Sequence, residues 1–124
     1  MTARLTTAAR ILLGIMFTGS AIAGVMGKVP PPEPEAAEAF MGMLLSSGLL
    51  YLVKILELLC GLALLSGRLV PLALLVLAPI IVNICFFHMA LDPSGLPVGV
   101  ILAVLWGGAG VAHRSVFLPL VRVQ

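Results

Sequence analysis

The stretch LSSGLLYLVKILELLCGLALLSGRLVPLALLVLAPIIVNICFFHM, Leu45–Met89, decides the fold. A helix of roughly 20 apolar residues crosses a hydrocarbon core of about 30 Å. The stretch holds two such runs, Leu45–Ser66 and Leu69–Met89, joined by little more than Gly67 and Arg68. So short a link allows only an antiparallel helical hairpin. Working outward, a third run precedes it at Ala8–Gly27 and a fourth follows at Leu96–Ala112. The expected fold is all-α, a transmembrane four-helix bundle, with residues 1–124 forming a single membrane domain.

Composition demands the same solvent. Hydrophobic residues make up 61% of the 124 and charged residues 10%, and mean hydropathy is +1.23. A chain this short has too little interior to hide that apolar surface from water. A net charge of +2, with no basic patch interleaved with aromatics, excludes a nucleic-acid partner.

The connections carry their own chemistry. Residues 28–44 form a Pro/Glu-rich outer loop, opening KVPPPEPEAAE, and consecutive prolines cannot continue a helix. A short surface helix is expected to restart over Ala36–Leu44. LDPSG at Leu91–Gly95 reads as a turn, with Ser94 placed to cap the fourth helix and Pro97 in its first turn. Arg4, Arg10, Arg68, Arg114 and Arg122 all fall at one end of a four-span chain. The other end has Lys28 among Glu33, Glu35, Glu38 and Asp92. Positive residues favour the cytoplasm, so both termini are expected inside (N-in/C-in), in a bacterial inner membrane. A competing reading makes the first run a cleaved leader ending at Ala21-Ile22-Ala23. Its apolar length instead favours a span, with Gly19, Ala23 and Gly27 as a small-residue packing face. Gly99, Ala103 and Gly107 form a second such face, and Pro79 should kink the third helix.

The informative residues are those that lipid should reject. Lys54 and Glu57 each cost about 2.5–3.5 kcal/mol near a span centre. Three apart, they share a face and can pair. Counted from Leu45, Lys54 lies roughly 12–14 Å deep, at a level shared with Thr18 and Ser20 of the first span and Asn83 of the third. The expected ligand site is therefore Lys54, Glu57 and Asn83, with Tyr51 one turn away and His88 near the outer interface. The bland alternative is an ion pair that only fixes helix register. Polar contacts between membrane helices are worth about 0.6 kcal/mol on average, a weak motive beside that insertion cost. His88 and Asp92 alone do not make a metal site, so none is expected. Cys60 and Cys85 differ in depth by roughly 15 Å, too far to bond. No nucleophile elbow, phosphate loop or haem motif points to catalysis by the chain alone.

PPPEPEAAEAFMGMLLSSGLL, LVKILELLCGLALLSGRLVPLALLVLAPIIVN and FFHMALDPSGLP together resemble the DoxX family of small bacterial membrane proteins, over about Arg10–Leu120. The specific part runs from Lys54 through Glu57, Gly61, Gly67-Arg68, Pro71, Pro79 and Asn83 to His88. The resemblance implies a four-helix membrane bundle and a link to redox biology. One branch is similar to the membrane subunit of thiosulfate:quinone oxidoreductase. Others look like partners in oxidative-stress complexes. Where members often carry asparagine or lysine near the outer end of the first helix, this chain reads GSAIAGVMG, with Lys28 the nearest substitute.

Three functions follow. A quinone- or lipid-binding accessory subunit of a membrane redox system would use Lys54 as donor, Glu57 as acceptor or proton relay, and Asn83 to orient the head group. Its partners would be the bilayer and a redox protein or a second copy, and quinone is its candidate cofactor. A non-catalytic assembly module would use the Gly99/Ala103/Gly107 face. A small transporter ranks last, because four helices without an internal repeat offer little machinery for alternating access.

Overall fold

The computed structural model describes residues 2–122. Among these every regular element is helical: α1 (Ala3–Val25), α2 (Glu35–Ser47), α3 (Leu49–Ser66), α4 (Val70–Ala90), a 3-10 turn (Pro93–Gly95), α5 (Leu96–Val111) and α6 (Arg114–Val121). α1, α3, α4 and the turn-plus-α5 segment are each long and apolar enough to cross a membrane. α1 packs on α3 and α5, and α4 on the same two, so the spans close into a ring. Arg10, early in α1, bonds a carbonyl late in α3, while Gly24 near the end of α1 meets Lys54 near the start of α3. These neighbours are therefore antiparallel.

Leu13 and Phe17 of α1, Leu64 of α3, Leu74 and Leu77 of α4 and Leu102 of α5 fill the centre. The outside is equally apolar: Ile15 and Ile22, Ile55 and Leu59, Leu75 and Phe86, and Ile101 and Val104 are all exposed. A surface of this kind needs lipid around it.

Several boundaries shift from the sequence reading. α1 begins at Ala3, where Thr2 Oγ1 accepts the Leu5 amide as an N-cap. The second span begins at Leu49, four residues later than expected, because Gly48 turns left-handed (φ 82°) and separates it from α2. α2 extends the expected surface helix to Glu35–Ser47. Glu35 and Glu38 sit in its first turn, where the helix dipole favours them. Ala37 buries completely, and the Phe40 ring lies 5.5 Å from that of Phe87, laying α2 across the end of α4. α6 was not anticipated. Phe117 packs it on the core, and the Val116-Phe117/Leu120 spacing was its only signal in the sequence.

The expected small-residue face on α1 is overturned. Gly19 is exposed with nothing beside it, and Gly27 lies beyond the helix at φ 69°, where the Lys28 amide closes the end on the Ala23 carbonyl. The close approach runs through Gly14 and Thr18 against Gly61 instead. Gly99 does pack tightly, on Cys85 of α4. Ala103 and Gly107 line an open apolar groove of about 580 Å³ between α4 and α5. Ser94 does not cap α5, since its hydroxyl donates to the Asp92 carboxylate at 2.6 Å. α4 continues through Pro79. Pro79 has no N–H for the Leu75 carbonyl, and at the neighbouring residue Trp106 Nε1 donates across to the Leu74 carbonyl at 2.8 Å. Cys60 and Cys85 are free thiols.

Candidate functional site

The polar centre of the bundle lies on the α1–α3 seam. Lys54 Nζ stands 3.1 Å from Glu57 Oε2, the one salt bridge among the described residues. The same ammonium donates to Ser20 Oγ at 3.1 Å. The i,i+3 spacing on α3 brings the two charges together, and the antiparallel crossing supplies the serine. With α3 starting at Leu49, Lys54 lies about 8 Å and Glu57 about 12 Å from the end that adjoins α2, so the lysine is shallower than a count from Leu45 implies.

Two glycines make the geometry. The lysine stem crosses α1 at Gly24, where a Cβ would stand 2.7 Å from Lys54 Cε. About two turns deeper along α3, Gly61 lets α1 come so near that a Cβ there would sit 2.9 Å from the Thr18 amide nitrogen. Glu57 is almost wholly buried, its side chain 4% exposed, against 15% for Lys54. Ser20 is exposed on the bundle's outside. The site therefore runs from a closed acidic floor to an edge facing lipid.

Its donors are incompletely used. An ammonium carries three N–H groups, and only Glu57 and Ser20 accept from Lys54 among the described residues. Thr18 Oγ1 is buried in the same seam and has no hydrogen-bond partner there. An oxygen-bearing group arriving at the lipid-facing edge would find one free charged donor.

The other expected site residues lie apart from this cluster. Asn83 is exposed and donates from Nδ2 to the Pro79 carbonyl of its own helix at 3.2 Å. Tyr51 is 45% exposed on α3. His88 Nδ1 is 3.1 Å from the Asp92 carbonyl, and its ring lies over Gly95, tying the end of α4 to the turn before α5. No cluster of three or more potential metal ligands occurs among the described residues. The sequence reading placed Ser20 at the right level without assigning it a partner, and it missed Gly24 and Arg10. Arg10, read only as a topogenic charge, donates to the Leu64 carbonyl and so satisfies an acceptor at the end of α3.

No curated protein and no solved structure matches the chain. A family model does: DoxX, over residues 5–90, from the first turn of α1 to the last residue of α4. That span holds the whole seam, with Ser20, Gly24, Lys54, Glu57 and Gly61, and stops short of α5 and α6. Four apolar helices long enough to cross a membrane, an ion pair set between two of them, and a match over more than half its length make this chain a member of the DoxX family of membrane proteins.

Proposed function

We propose that the protein is a quinone- or lipid-binding accessory subunit of a membrane-associated redox system, held in a bacterial inner membrane with both termini cytoplasmic. One observation carries the reading: a Lys54–Glu57 pair kept in the apolar part of the bundle, with an ammonium donor left over at the edge that faces lipid. Two charges inside a span cost several kcal/mol, more than helix–helix adhesion returns, so a binding role accounts for them better than packing alone. Lys54 donates to a carbonyl or phosphoryl oxygen of the head group. Glu57 holds the ammonium in place and accepts or relays a proton. The apolar tail lies along the outside of the bundle. Electron transfer would need a partner protein carrying the redox centre. Asn83, Tyr51 and His88 stand outside this core of the proposal, each engaged or exposed elsewhere.

Mass spectrometry of organic molecules that co-purify with the wild type and with Lys54→Leu/Glu57→Leu tests it. A quinone or a defined lipid retained by the wild type and lost from the folded double variant is the expected result. Identical extracts from two folded proteins would refute a ligand role for the pair.

A second reading, a non-catalytic assembly module, draws on the α4–α5 groove, where Ala103 and Gly107 leave an apolar face open. Ala103→Leu fills that face. Loss of a native complex, with the bundle still folded, would favour this reading, and unchanged complexes would remove it.

A further inference from the structure

A second polar cavity, of about 410 Å³, opens at the opposite end of the bundle from α2. Ala3, Thr6, Val111, Ala112, Arg114 and Ser115 line it, so α1, the end of α5 and the start of α6 all contribute. We propose that this cavity binds the phosphate of an anionic phospholipid drawn from the leaflet at the arginine end.

Three independent features meet there. The first is charge: Arg4, Arg10, Arg68 and Arg114 gather at this end, whereas the Asp and Glu residues are Glu33, Glu35, Glu38, Glu57 and Asp92, none of them near it in the chain. Arg10 is engaged with the Leu64 carbonyl, but Arg114 has no carboxylate partner among the described residues. The second is the wall itself, where Arg114 stands with the hydroxyl-bearing Thr6 and Ser115. Thr6 is largely buried and its hydroxyl proton goes to the Ala3 carbonyl, so the side-chain donors the wall offers an anion are those of Arg114 and Ser115. The third is backbone polarity. Both α1 and α6 begin at the cavity; Thr2 already caps α1, but α6 has no side-chain cap, and the amides of Arg114 and Ser115 in its first turn have no acceptor among the described residues. A phosphate monoanion accepts from a guanidinium, a hydroxyl and free amides together. Val111 in the wall and Val116 next to Ser115 in the chain are exposed apolar side chains, a surface that suits acyl chains. That surface selects a lipid over a free ion, as in basic pockets between spans at a cytoplasmic face.

The test is native mass spectrometry of the full chain after reconstitution into nanodiscs of equal parts phosphatidylglycerol and phosphatidylcholine and transfer to mild detergent. The expected wild type retains one phosphatidylglycerol per chain. Arg114→Gln loses it, and Arg122→Gln, which removes a charge outside the cavity wall, keeps it. Should Arg114→Gln fail to fold, Ser115→Asp, which sets a negative charge in the cavity, must lose it instead. Retention of phosphatidylcholine in equal amount, equal loss from Arg122→Gln, or no retained lipid at all would overturn the proposal. So would thermal protection by inorganic phosphate equal to that by phosphatidylglycerol.

Discussion

Replacing Gly61 by alanine adds one methyl group where α1 and α3 come closest. Its Cβ would stand 2.9 Å from the Thr18 amide nitrogen and 3.1 Å from the Gly14 carbonyl oxygen. Both are backbone atoms, so no rotamer change relieves the contact. Restoring the ~3.5 Å at which non-bonded atoms pack requires the helices to part by about 0.6 Å. Overpacking of this kind costs about 1–3 kcal/mol. Alanine's helix propensity offsets about 0.5–1 kcal/mol of it. Gly19→Ala and Gly107→Ala supply the comparison, since neither added Cβ meets an atom within 4 Å. Those two should be neutral or slightly stabilising, and Gly61→Ala should fall below them by about 1–3 kcal/mol, the strain alone. Reversible unfolding in mixed micelles, followed by the fluorescence of the single tryptophan, Trp106, gives the number. A second consequence follows across the same seam: parting α1 from α3 lengthens the 3.1 Å Lys54–Ser20 bond, so Gly61→Ala should also retain less of any molecule held there. Equal stability of Gly61→Ala and Gly107→Ala would refute the reasoning, because the seam would then not be the tight one.

Lys54→Leu leaves Glu57 buried without its partner and should cost about 3–5 kcal/mol, whereas Lys54→Leu/Glu57→Leu should be neutral or more stable than wild type; the same unfolding assay checks both, and a double variant as unstable as the single would show that the pair itself holds the bundle. For orientation, green fluorescent protein fused after Gln124 should fluoresce and alkaline phosphatase fused there should be inactive, as cytoplasmic termini require. The reverse pattern would place the arginine end outside.

The seam and the spans were not equally legible in the sequence. Lengths of apolar chain, Gly67-Arg68 between two runs and the prolines after Lys28 dictate four helices and their alternation, because lipid accepts only backbone that bonds to itself. The three-residue spacing likewise puts Lys54 and Glu57 on one face, whatever surrounds them. Which faces touch is a different matter. In water a helix reveals its inner face by the contrast between apolar and polar sides. Here Leu13 at the core and Leu12 at the surface are the same residue type, since lipid is as apolar as the interior. Small residues therefore occur at helical spacing on more than one side of α1, and only packing chose Gly14 and Thr18 over Gly19 and Ala23. Packing also turned Asn83 back onto its own helix and brought Ser20 to Lys54. The sequence by itself determined the membrane, the number of spans and the presence of a charged pair within one of them. The partners of that pair, and the edge on which it opens, were decided by the tertiary structure, through steric fit between surfaces that hydrophobicity cannot tell apart.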